Sequence, residues 1–251
     1  MTRIKILLLS LLFFFIPCIA HGAIVVGTYT TYSGAAATSH TFSHTVAAGV
    51  DCLIVRGSVN IAVLPTTVTF NGDAMTLASY ATANSGADKY AWIYYLVNPD
   101  ITTGDVVISL SGSGRTAATA TSLTGCNTSS PLGSTASSTD GGIIGTTPSV
   151  NITTSFANSL LVDSVLNANK ARTFTATGAN QTLQGQVAIL DPSGTGTVYS
   201  YETTTAAGAY TISYSIDLSD TSYIAVAEIK AVAAAAIPTL DEGDGGYVYD
   251  E

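Results

Sequence analysis

The sequence predicts an all-β protein, an antiparallel β-sandwich built from two similar halves. Short runs rich in Val, Ile, Thr and Tyr alternate with Gly, Asn, Asp and Ser, and no stretch carries a 3.6-residue apolar period. Segments of the first half also recur, in order, in the second. With 251 residues the chain is long enough to bury a sizeable core, and sandwiches of roughly 200–250 residues commonly form one domain.

Residues 1–22 read as a Sec signal peptide. Arg3 and Lys5 precede the apolar run Ile6 to Ile16, and small residues follow before Ala23. The run is too short to span a bilayer comfortably, so the mature chain is expected to have no membrane span and to be secreted or held at the cell surface. Cys18 follows Pro17, where a lipobox needs a small residue, so lipidation is not expected. Removing Arg3 and Lys5 takes the formal charge from −9 to −9 − 2 = −11. The cations that remain cannot neutralise a run of phosphates, which excludes nucleic acid as a partner class.

The mature body, residues 23–233, opens with strands at Ala23 to Tyr32 and Ser39 to Val46, broken by SGAAA. A strongly apolar strand follows within Gly49 to Val63. Asn71-Gly72 in VTFNGDAMTL marks a tight hairpin turn between alternating runs. Lys89 to Gly112 holds the only Trp and reads as a β-hairpin with a Pro/Asp/Thr/Gly turn; Arg115 to Gly125 is a further strand. The Ser/Thr/Gly-rich stretch from Asn127 to Thr146 reads as a loop.

The second half repeats the first, about 147–232 against about 39–126. Asp51 to Val55 matches Asn158 to Val162, Gly72, Thr76 and Leu77 match Gly178, Thr182 and Leu183, and Ile93 and Tyr95 match Tyr199 and Tyr201. Gly104 to Ser109 then matches Gly208 to Ser213. Two such sets can pack as one sandwich of the jelly-roll kind or stand as two small sandwiches in tandem, and the single sandwich is preferred because the loop from Asn127 to Thr146 holds no Pro-rich spacer. Residues 234–251 form an acidic tail, in which Ile237 to Leu240 begins like a bacterial sorting signal without its hydrophobic and basic parts.

No motif selects a reaction, and the chain is read as a non-enzyme. His40 and His44 share one strand face about 13 Å apart, too far to share a metal, and read as exposed polar residues. Glu202 and Glu228 are the only glutamates of the body, but nothing pairs them for glycoside hydrolysis. No cofactor is expected. Oxygen ligands for calcium occur at Asn98, Asp100 and Asp105 and in the tail at Asp241, Glu242 and Asp244, where ordinary turn chemistry is the preferred reading. Cys52 and Cys126 form a candidate disulfide for an exported chain, against the alternative of two small buried apolar residues.

The candidate ligand site is an aromatic stripe. Tyr90, Trp92 and Tyr94 share one face of their strand, and Ile93, Tyr95 and Val97 share the other. The second half carries Gly196, Val198 and Ser200 where the stripe stands. The core is therefore assigned to the Ile93 face, and the stripe either lies under the first strand, Ala23 to Tyr32, or is free to stack on sugar rings or pack on a partner.

The segments HTVAAGVDCLIV, VTFNGDAMTL, WIYYLVNPDITTGDVVISLSG and TGCNTSSPLG resemble poorly characterised secreted bacterial and phage-associated β-sandwich domains of the jelly-roll or concanavalin-like type, over Ser39 to Gly133. The resemblance implies fold and transfers no catalytic residue. The expected function is an extracellular binding and adhesion module with carbohydrate as the leading ligand class. The alternative is a structural subunit of an extracellular filament or surface assembly, pairing with copies of itself. A polysaccharide-active enzyme comes third.

Overall fold

The computed structural model describes residues 22–82, 89–138, 142–168, 172–188 and 196–233. The signal peptide up to residue 21 and the acidic tail lie outside the described residues. The first part of the chain forms β1 (Val25–Thr45), β2 (Cys52–Val59), β3 (Thr67–Phe70), β4 (Asp73–Ala74), β5 (Thr76–Thr82), β6 (Tyr90–Val97) and β7 (Thr103–Thr124). The second part forms β8 (Leu132–Ser137), β9 (Ile143–Gly145), β10 (Ser149–Thr154), β11 (Leu160–Asn167) and β12 (Phe174–Ala176). It ends with β13 (Gln181–Ala188), β14 (Gly196–Thr203), β15 (Gly208–Ile216) and β16 (Asp220–Ile229). Among the described residues these strands pair antiparallel.

β2 and β11 are buried at every position, β16 at all but one, and β6 from Ala91 to Tyr94, which requires a covering layer on both faces of the sheets that hold them. The first sheet runs β4-β3-β7-β2-β6-β5, with β1 along β7. Here β7 serves two layers. Its first half pairs with β3 and with Ser39 to Thr45, and its second half pairs with β2 and with the start of β1. The sheet thus folds over itself around Phe42, Leu53, Val55, Phe70, Trp92 and Ile108.

The second part places the sheet β13-β14-β11-β16-β8, with β9 along β16, beneath the smaller sheet β10-β15-β12. Ile152, Leu161, Phe174, Val198, Ile212 and Tyr214 fill the space between them. A third cluster, with Cys52, Ile54, Ile93, Leu160, Val162 and Ile229, joins the two inner sheets face to face.

Several local expectations hold. Asn71 (φ 50°) and Gly72 (φ 94°) adopt the paired left-handed conformations of a tight hairpin turn between β3 and β4. The two strands expected before Val46 are one long strand, β1, with register shifts between Gly34 and Ser39 where SGAAA lies.

Other expectations are corrected. Lys89 to Gly112 is not a hairpin, because β6 pairs with β2 and β5, while β7 pairs with β1, β2 and β3. β2 lies between them: the connection after Val97 crosses to the outer layer, starting at Asn98 with φ 49°. The stretch expected as a loop after Asn127 carries β8 and β9 on the flank of β16, since Ser and Thr suit an edge strand as well as a turn. His40 and His44 are buried rather than exposed, each at 2%. They point inward from β1 and find partners there. His40 Nε2 lies 2.9 Å from Gly114 O and its Nδ1 3.3 Å from the Tyr32 hydroxyl, while His44 sits between Thr30 and Ser122 hydroxyls at 3.0 and 2.9 Å.

Candidate functional site

The aromatic stripe does not face solvent as a unit. Trp92 is fully buried over Gly57, where a Cβ would collide with the indole. Tyr94 packs edge-on to it at 5.7 Å between ring centroids and donates its hydroxyl to Pro65 O at 3.0 Å. Tyr90 is half-buried beside Tyr80, which is itself exposed. The stripe fails as a stacking platform because β6 is an inner strand with cores on both sides. Val198 and Ser200, whose small size in the second half suggested an outward face, are themselves fully buried.

The buried charges are knit into the backbone. Val162 pairs with Tyr201 and the β11–β14 register resumes at Val165 opposite Val198. In the gap, Ser200 N donates to Asp163 Oδ1 at 3.0 Å, and the Tyr214 hydroxyl lies 2.7 Å from the same oxygen. Arg56 reaches this gap from β2, donating Nη1 to Asp163 O at 2.8 Å and to Ser200 O, and Nη2 to Gln184 Oε1 at the β13 bulge. Burial pushes the Asp163 carboxyl above the usual carboxylate range, opposed by the Arg56 charge and by the Ser200 and Tyr214 hydroxyls. This network joins the inner sheets and leaves no open face for a ligand.

Glu202 and Glu228 both lie opposite Leu161, on β14 and β16, so their backbones stand about 9.5 Å apart, two strand spacings. Their surroundings differ. Glu228 is fully buried and accepts from Ser134 N at 2.8 Å, Phe156 N at 3.0 Å, Ser155 N at 3.1 Å and Ser159 Oγ at 2.8 Å. Burial raises its pKa, but these donors outweigh it and hold the carboxylate below its ordinary range. A Cβ at position 133 would strike this carboxylate, so Gly133 is a packing requirement.

Glu202 is 3% exposed, and its Oε2 has no hydrogen-bond partner among the described residues. Burial raises its pKa, with a further push from Asp163 and an opposing backbone bond from Asn180. It sits at the back of an open groove of about 440 Å³ lined by Thr177, Asn180, Tyr210, Thr211 and Ser213. The groove exists because β12 is only three residues long and leaves the flank of β15 without a strand partner from Ala209 to Ile212. A buried acceptor, several hydroxyls, a side-chain amide and a half-buried tyrosine ring therefore converge on one concave surface. Such a set can accept and donate hydrogen bonds to a neutral, hydroxyl-rich molecule. In the sequence, its only signal was the scarcity of glutamate in the body.

Of the remaining candidates, Asp100 Oδ2 accepts from Asn71 Nδ2 at 2.8 Å, which is turn chemistry. The tail carboxylates Asp241, Glu242 and Asp244 lie outside the described residues. No group of three or more His, Cys, Asp or Glu placed to hold a metal occurs among the described residues. Cys52 and Cys126 are buried free thiols in the cluster between the inner sheets. Among the described residues no helix is long and apolar enough to cross a membrane.

No protein-family model, curated protein or solved structure matches this chain. The functional reading therefore rests on the groove and its chemistry.

Proposed function

We propose that the chain is an extracellular binding and adhesion module that holds carbohydrate in the Glu202 groove. The observation that carries this reading is the nine-tenths-buried carboxylate with an unpartnered oxygen at the back of an open, hydroxyl-lined concavity. A buried acceptor left without a donor costs free energy, and a ligand hydroxyl would supply the missing bond. Glycan-array and calorimetric binding of the purified protein tests it. Glu202→Gln is expected to abolish or weaken binding at least tenfold while leaving the thermal midpoint within a few degrees. Binding unchanged by both Glu202→Gln and Tyr210→Ala would refute the site. Hydrolysis of a polysaccharide, lost on substituting Glu202, would replace the binding reading with an enzymatic one.

A second reading, a structural subunit of an extracellular assembly, is favoured by one observation. The edge strands β5 and β8 face each other across an open trough of about 500 Å³ lined by Leu77 to Thr82 and Thr135 to Ser138. Edge strands present unpaired backbone groups to other chains. Size-exclusion chromatography of the mature protein separates the readings: polymers support assembly and discrete particles support binding.

The jelly-roll-like fold built from two halves, and with it the resemblance to secreted sandwich domains, is part of the same proposal. Its support is a shared order of pairings. β2 lies between β6 and β7 as β11 lies between β14 and β16, and β5 flanks β6 as β13 flanks β14. Keeping core faces aligned pairs Cys52 with Leu160 and Arg56 with Ser164, one residue away from the match of Leu53 with Leu160. A one-residue slip exchanges the two faces of a strand, which is why the earlier match set core against interface. Export by a signal peptide is checked by fractionation and N-terminal sequencing of the mature protein.

A further inference from the structure

We infer that Cys52 and Cys126 close a disulfide in the mature protein, an inference that rests on the export reading for its oxidising surroundings. Cys52 begins β2, and its neighbour Asp51 donates its backbone N–H to Leu123 O at 2.9 Å. Past Leu123 the chain turns through Gly125 at φ 81°, whose N–H is held by Asp51 Oδ2 at 2.5 Å, and Cys126 then pairs with Ala231. Val232 N donates to Gly125 O at 2.9 Å from the other side. The backbone at both cysteines is thus fixed by independent bonds, and both side chains lie in one apolar cluster, where the Cys52 thiol is the main influence on the Cys126 thiol.

Two cysteines used merely as small apolar residues need no such neighbour. The β2–β7 ladder sets Cys52 opposite Leu123, three residues before Cys126, so the fold brings the two into one cluster without any covalent link. Cys126 also lines an open groove with Asp51, Asn127, Thr128, Ser129, Val232 and Ala233, which gives an oxidant a path to it.

The chemistry is thiol–disulfide exchange with a disulfide-bearing oxidant, either a small molecule or an oxidoreductase. The Cys126 thiolate attacks one sulfur of the oxidant, forming a mixed disulfide and releasing one thiol. The Cys52 thiolate then attacks the Cys126 sulfur, the protein disulfide forms and the second thiol leaves. Two electrons pass from the cysteines to the oxidant, and the two cysteine protons end on the two released thiols. The Cys52 thiol and burial push the Cys126 thiol far above its ordinary range, so exchange in the folded, reduced protein is slow and closure is fastest during folding.

The test uses the full chain carrying Cys18→Ser, purified reduced, unfolded, and refolded in a glutathione redox buffer. After denaturation and treatment with iodoacetamide, intact mass is expected to show no alkylated cysteine, and two after prior reduction. Reduction is expected to lower the thermal midpoint by roughly 10 °C, as for a cross-link closing a long loop, and the Cys52→Ala/Cys126→Ala protein should not respond to reductant. Alkylation of both cysteines in the refolded protein would overturn the inference, as would an equal reductant-induced shift in the double variant. Because oxidation is imposed in vitro, closure here with no export in cells would refute the localisation and leave the disulfide standing.

Discussion

Replacing Arg56 by Met removes the one side chain that reaches from β2 into the gap between β11 and β14. Methionine keeps most of the volume, so the cost is electrostatic rather than a cavity. The Asp163 and Ser200 carbonyls lose their donor, Gln184 loses its partner, and the Asp163 carboxyl loses its neighbouring positive charge. Breaking one side of a buried charge arrangement costs about 3–5 kcal/mol, a large part of the roughly 5–15 kcal/mol that holds a domain together. At about 2–4 °C per kcal/mol for a domain of this size, the thermal midpoint is expected to fall by roughly 6–20 °C. The urea midpoint should fall in proportion with an unchanged slope. The pH dependence carries a second check. Without Arg56 the folded Asp163 carboxyl rises further above its unfolded pKa, and a raised folded pKa gives stability at low pH that is lost as pH climbs through it. The gap between wild type and Arg56→Met should therefore narrow toward pH 4, and adding Asp163→Asn should close part of it at pH 7. A loss below about 1 kcal/mol, or a gap indifferent to both pH and Asp163→Asn, would refute the reasoning.

Three further outcomes follow from the buried groups. Both His40 and His44 have pKa values lowered by burial; the unfolded chain binds the extra protons first, so their contribution is full above pH about 6.5 and is lost on acidification below it. Thermal midpoints measured from pH 8 to 5 should fall on the acid side, and His40→Gln/His44→Gln should flatten that limb. Glu228→Gln should cost about 2–3 kcal/mol at pH 7 by removing a charged acceptor from four donors, with the difference shrinking below about pH 4 as the native carboxylate protonates; Gly133→Ala should destabilise through the same carboxylate. Trp92→Ala should cost about 3–5 kcal/mol in chemical denaturation, and Tyr94→Phe about 1 kcal/mol, with neither changing glycan affinity among molecules that remain folded.

What was legible in the sequence is what neighbouring residues decide. Asn71-Gly72 names its turn because two consecutive left-handed residues are rarely anything else. β2 and β11 declare themselves through the apolar runs that open them, Cys52 to Val55 and Leu160 to Val162. The order of strands across a sheet is decided elsewhere. β6 and β7 are adjacent in sequence with a turn between them, yet β2 occupies the place between them, and nothing in Lys89 to Gly112 says so. A sharper clue was available in YAWIYYLV, which is large and apolar on both faces and therefore belongs in a layer covered twice. The same double covering hid the aromatic stripe. Arg56 announced itself as a charge inside CLIVRGSV, whereas Glu202 became a candidate only once β12 proved too short to cover β15.

The long pairing of β1 with β7 has a mechanical consequence. Val25 lies opposite Thr124, and Val232 bonds to the neighbouring Gly125, so the chain enters and leaves the folded body at one corner. Tension applied between those two points loads the first bonds of the ladder before the later ones, because the bonds run across the strands. They open one after another, as a zip does, instead of resisting together in shear. Held by its two ends, the body yields at low force; held by one end and by whatever fills the Glu202 groove, it is loaded along a different line. Single-molecule pulling in the two geometries would give two distinct rupture forces, the first of them the lower.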